Sequence, residues 1–341
     1  MSGQDFNVFL TRVLGGNSLD AVASALAFGE IMAGRARDDD LADFLTALAK
    51  RNPTIPEITG AARAMRAAMK TMEAPAGAID LCGTGGDGHG TLNISTAVSF
   101  VAAACGVPVA KHGNRNMSSK TGAADVLEAL GVRIDIPPEA ASVCLREANL
   151  CFLFAQTYHP AMKHVAPVRR RLGIRTIFNL LGPLSNPAGV RRQLMGVYTR
   201  EWLQPLARVL GALGTEKAWV VHGHDGLDEI TTTDLTDVAV LDASRVTLRT
   251  VAPEDAEVPR ATLADLKGGA ANENADAIRR LFAGERGPYR DIVLLNTAAA
   301  LIVAGKANEL RQGAKLAAQA LDSGAAARAL EILIAVSNKA P

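Results

Sequence analysis

The chain has 341 residues, 48% apolar and 21% charged, which is enough for one large domain or two unequal ones around a conventional core. Its 36 basic and 35 acidic residues leave a formal charge of +1, so it lacks the electrostatic footprint of a nucleic-acid or anionic-membrane binder. Four cysteines without a C-x-x-C pair, no basic-then-apolar leader and no apolar run near about 18 residues predict reduced thiols, no secretory signal, no transmembrane helix and a cytoplasmic location.

Residues 1–73 read as helices only. One is capped at Asn17 or Ser18 and runs to Met32. A second follows Asp38, Asp39 and Asp40, whose carboxylates suit a helix N-terminus better than a metal. A third starts at Thr54, with Pro56 in its first turn and Glu57 completing a capping box. From Ala78 onward, short β-rich runs alternate with helical ones. Strands are expected at 78–81, 107–111, 132–136, 151–154, 194–198, 219–222 and 292–295. Helices are expected at 95–105, 120–130, 139–148, 201–213, 289–303 and 306–322, the run at 292–295 being readable either way. The pattern defines an α/β fold with a mostly parallel central sheet, where ligands sit beyond the carboxyl ends of strands. Residues 231–250 read as a local antiparallel excursion, and 182–189 as a hinge-like connection.

Five of the eight residues from Gly83 to Gly90 are glycine, between a predicted strand and a predicted helix. Such a loop lets backbone approach an anion, and the helix start favours negative charge. It fits either a phosphate cradle or a plain glycine-rich turn, since it matches neither a Walker A loop nor G-x-G-x-x-G. Asp87, Asn93, Ser95 and Thr96 add oxygens suited to ribose hydroxyls or a hard cation. A second polar segment, Lys111 to Gly122, also follows a strand and carries Lys111, Arg115 and Lys120 beside Asn114, Ser118 and Ser119. Two such loops on one rim of a parallel sheet favour a pocket for a phosphorylated sugar over two unrelated surface loops. Near Tyr158, the arginines Arg169, Arg170 and Arg171 cannot all face one way on a helix; one of them suits a carboxylate, and the others a solvated face. Asp228 and Glu229 follow a strand ending at His222, and a carboxylate pair there suits Mg²⁺ or an ordinary acidic turn. No G-x-S-x-G or H-E-x-x-H occurs, so serine or zinc hydrolysis has no support.

Gly83-Thr-Gly-Gly-Asp87, Asn93-Ile-Ser-Thr96, Lys111-His-Gly-Asn-Arg115, the run from Arg175 to Pro187 and Gly226-Leu-Asp-Glu229 together resemble anthranilate phosphoribosyltransferase, in order and spacing, over nearly the whole chain. The resemblance implies transfer of the phosphoribosyl group of phosphoribosyl pyrophosphate (PRPP) to the amine of anthranilate in tryptophan biosynthesis. It implies a homodimer, and it admits association with an anthranilate synthase subunit. The implied fold is a small helical dimerising domain (1–73, with 165–190 packing on it) hinged to a large α/β domain (74–164 and 191–341). PRPP contacts carry over to Gly83, Gly86, Asp87, Thr91, Asn93, Ile94, Ser95 and Thr96 in the first loop. In the second they carry over to Lys111, His112, Gly113, Asn114, Arg115, Asn116, Met117, Ser118, Ser119 and Ala123. Anthranilate contacts fall on Gly83, Asn114 and Arg169, with His112, Tyr158 and His159 along its path. Mg²⁺, two ions, falls on Ser95, Asp228 and Glu229. Lys111, Asn114 and Arg169 take the catalytic roles, which are positioning and leaving-group stabilisation without an obligate general base. Leu92, Asn116, Met117 and Ala123 depart from the commoner pattern. The runner-up readings are a pyrimidine nucleoside phosphorylase-like enzyme and a non-catalytic relative that binds nucleic acid.

Overall fold

The computed structural model describes residues 4–115 and 121–339. Four helices open the chain: α1 (Gln4–Leu14), α2 (Ala21–Met32), α3 (Asp38–Arg51) and α4 (Ile55–Ala67). Sequence reading overlooked α1 and misplaced the next cap. Asp20, not Asn17 or Ser18, receives the N–H groups of Val22 and Ala23 at 2.9 and 2.8 Å. The acidic triplet does occupy the first turn of α3, and the Thr54–Glu57 capping box forms. Glu57 also accepts from Leu19 N and ion-pairs with Arg51, which pins the α1–α2 connection to α4.

A seven-stranded sheet follows among the described residues, in the order β3-β2-β1-β4-β5-β6-β7. Its strands are β1 (Ile79–Gly83), β2 (Val109–Gly113), β3 (Leu150–Phe154), β4 (Arg192–Gly196), β5 (Lys217–Gly223), β6 (Thr236–Asp242) and β7 (Arg245–Val251). The first five are parallel, and β6 and β7 are the antiparallel excursion expected over 231–250. One hydrophobic core covers one sheet face with α5 (Ile94–Ala104) and the C-terminal helices. The other joins α1–α4 to the opposite sheet face through Met195, Val197, Val220 and Leu241. Val165, Val168, Phe178 and Leu181, from the segment after the third strand, enter this second core, and the Phe28 and Phe178 rings lie 5.8 Å apart.

Two expected strands are absent. Residues 132–136 alternate buried and exposed like an edge strand, but Val132 N bonds to Leu127 O and Arg133 N to Ser337 Oγ instead of a ladder. Residues 292–295 lie inside the helix Pro288–Ala304, which is buried on every side from Ile292 on and so shows no helical stripe. Helices Ala271–Phe282 and Ala325–Ser337 had no counterpart in the sequence reading. No helix among the described residues is long and apolar enough to cross a membrane.

Candidate active site

The glycine loop leaves the carboxyl end of β1 and runs into α5. Gly85, Gly86, Gly88 and Gly90 all have φ between 61° and 82°, a left-handed backbone that explains the residue choice. Asp87 Oδ1 accepts the His89 amide at 3.1 Å and closes the turn. A segment with no signal in the sequence backs the loop. Thr91 pairs with Lys267, Leu92 N bonds to Leu266 O, and Gly268 N to Gly90 O. Asn93 caps α5, and its Oδ1 accepts from Asn274 at 2.8 Å, which leaves its amide hydrogens to donate. Ser95 faces the site. The side chains of Ile94 and Thr96 instead point into the core, 2% and 1% exposed, which leaves the backbone of the first helical turn as what they offer a ligand.

Lys111, in the middle of β2, is buried, 3% exposed, with Nζ donating to Leu81 O at 2.5 Å and Ser95 Oγ at 3.1 Å. Burial pushes its pKa down, opposed by the charges of Asp80, Glu229 and Asp228. Asp228 Oδ2 accepts the Gly85 amide at 2.9 Å, and Glu229 Oε1 accepts the Ser95 amide at 3.2 Å. Both carboxyls titrate well above the usual range, Asp228 because of burial and then the Asp87 charge, Glu229 because of burial and then Asp228. Crowded acids of this kind need a cation. Ser95, Asp228 and Glu229 therefore fit Mg²⁺ in donor chemistry, with hard oxygens and one hydroxyl. Among the described residues no group of three or more His, Cys, Asp or Glu is arranged to hold a metal.

Other assignments change. Arg115 is exposed, and its guanidinium is engaged by Asp125 and Glu128 on the helix Ala123–Leu130, so its side chain is turned from the cleft. His112 is 6% exposed, with Nδ1 3.1 Å from Gly182 O and Nε2 3.1 Å from His159 Nε2. Burial, then His159, pushes its pKa down to about 3, which disfavours the charged imidazolium. Tyr158 is fully buried. Gly113 closes β2 against the Phe152 ring, Asn114 O takes the Ala124 amide at 3.3 Å, and Ala123 is half-buried beside them. Asn116, Met117, Ser118 and Ser119 lie outside the described residues. Arg169, on the short helix Ala166–Leu172 of the helical side, stacks over Phe178 at 5.7 Å and has no acceptor among the described residues.

Sequence reading also missed Arg175, which stacks on Tyr198 at 4.2 Å and donates to Gly86 O, tying the helical side to the loop apex. Its only signal was a place in a motif.

Residues 8–69 match the helical bundle domain of the glycosyl transferase family, and residues 76–327 match its a/b domain. The chain belongs to this family, whose two parts coincide with the helices and the sheet described above. It is 55% identical over 336 residues to the anthranilate phosphoribosyltransferase of Rhodopseudomonas palustris (strain HaA2), covering 98% of this chain and 99% of the relative. The crystal structure of the Thermus thermophilus anthranilate phosphoribosyltransferase superposes with TM-score 0.92 at 42% identity, over 96% of this chain and 99% of that one. The Saccharomyces cerevisiae enzyme in complex with PRPP and Mg superposes at 0.90 and 26% identity, over 98% of each chain. Within the glycosyl transferase family the chain is thus an anthranilate phosphoribosyltransferase, which makes N-(5-phosphoribosyl)anthranilate and pyrophosphate; the phosphorylase alternative is not favoured.

Proposed function

We propose that the pyrophosphate of PRPP lies across the glycine loop and the start of α5, with Mg²⁺ held by Ser95, Asp228 and Glu229. The carrying observation is the acidic pair within hydrogen-bond reach of loop and helix amides, next to buried Lys111. When bound, Mg²⁺ neutralises the leaving group and the crowded carboxylates. Lys111 and the donors of Asn93 and of the helix start stabilise negative charge as the bond from the anomeric carbon to pyrophosphate breaks. Arg169 holds the anthranilate carboxylate, which aims the amine at that carbon. The new carbon–nitrogen bond forms, and the amine proton leaves to solvent. A neutral aromatic amine needs no prior deprotonation, consistent with the low basicity of His112.

We also propose a homodimer through the helical unit. Val22 and Leu26 are 68% and 41% exposed on α2, beside a shallow apolar hollow lined by Ala25, Gly29, Ala64 and Ala67.

Steady-state kinetics of two variants test the substrate assignment. Arg169→Ala is expected to raise the KM for anthranilate at least about tenfold with little change in that for PRPP. Lys111→Met is expected to lower kcat by about a hundredfold or more. Equal effects of Arg169→Ala on both substrates would refute its role.

A further inference from the structure

The stretch carrying Asp228 and Glu229 belongs to no helix or strand, so its position is imposed from outside. Two features impose it. On one side, Gly83 and Gly196 are register partners on β1 and β4, directly beneath the acidic turn. A Cβ at Gly83 would meet Asp228 Oδ2 at 2.5 Å, and one at Gly196 would overlap the Asp228 main-chain carbonyl oxygen. Gly196 has a negative φ, so close approach rather than backbone freedom demands glycine there.

On the other side stands Asn296, fully buried in the middle of the helix Pro288–Ala304. Its Oδ1 accepts from Ile230 N at 3.0 Å, and its Nδ2 donates to Ile230 O at 2.7 Å and to Ile292 O at 2.9 Å. The side-chain amide thus grips both backbone polar groups of the residue following Glu229, as a neighbouring strand would. A buried amide is costly unless fully bonded, and this one is bonded at both ends, twice to the turn.

We propose that Asn296 and Gly196 are positioning residues for the carboxylate pair, one gripping the turn and the other making room for it. Neither touches substrate; both act by setting where Asp228 and Glu229 meet the cation. The inference rests on the reading of that pair as the cation site.

The test is Mn²⁺ binding with PRPP present, followed by electron paramagnetic resonance, alongside the KM values of both substrates and thermal unfolding. Asn296→Leu, which keeps the branched shape and removes all three bonds, is expected to weaken Mn²⁺ binding at least about tenfold. Gly196→Ala should do the same, with the KM for PRPP rising and that for anthranilate within about twofold of wild type. Should Asn296→Leu not fold, Gly196→Ala and the milder Asn296→Ser carry the test. Folded variants that bind Mn²⁺ as wild type does overturn the proposal. Asp228→Asn separates the two levels. Loss there without loss in the other variants sinks the positioning roles alone, and no loss there sinks the cation site together with them.

Discussion

Asp228 and Glu229 are held where ionisation is unfavourable, which suits the proposed binding of a cation together with substrate. With both folded-state pKa values raised, the ligand-free fold is favoured while the pair is protonated and loses that contribution as pH rises through the raised values. Cation affinity runs the other way, because only the deprotonated pair binds. Asp228→Asn is therefore expected to abolish Mg²⁺ binding while raising the melting temperature of the ligand-free protein at about pH 8.5, by roughly 1 kcal/mol of added stability. At about pH 3.5 the gain should vanish, since the Asp228 carboxyl is then protonated in the folded and the unfolded chain alike. Thermal melts at the two pH values check this, and an equal difference at both would remove the burial account. The acids were legible as a pair in sequence; their strain was not, because it comes from burial and from Asp87, far away in the chain.

Among the elements, the helical unit is assembled by close contact rather than by size. Gly60 on α4 faces α2, where a Cβ would lie 2.6 Å from Ser24 Cβ and would also strike the Ala21 carbonyl. Ser24 Oγ donates to Glu57 O at 2.7 Å across the same seam. Gly60→Ala should accordingly destabilise the protein by about 1–3 kcal/mol despite the better helix propensity of alanine, measured by denaturant unfolding. The capping box at Thr54 was readable because its chemistry is local. Residues 132–136 and 292–295 were misread for the opposite reason. One has a strand's burial pattern without a partner strand, and the other a helix's bonding without a helix's polar face.

For the whole molecule, the exposed apolar face of α2 predicts a pair of chains. Leu26→Glu is expected to convert a dimer into a monomer in light scattering, with the helical content unchanged. A wild-type monomer, or a variant that stays dimeric, would remove the proposal. Arg175, reaching from the helical side to Gly86, shows how the two halves of the chain meet at the glycine loop.

The sequence by itself determined the class of fold, the family and the polar loops, because glycine runs, caps and motif spacing are local and survive without coordinates. Only the tertiary structure decided which side chains of those loops are buried or already paired. Ile94, Thr96, His112 and Arg115 stand inside the motifs, yet are claimed by the core, by His159 or by the acids of a helix. Conversely, Asn296 and Gly196 stand outside every chemical motif and are joined to the acidic turn by contacts over long sequence distances. The reason is geometric: spacing along the chain sets what a residue can offer, and packing sets what it meets.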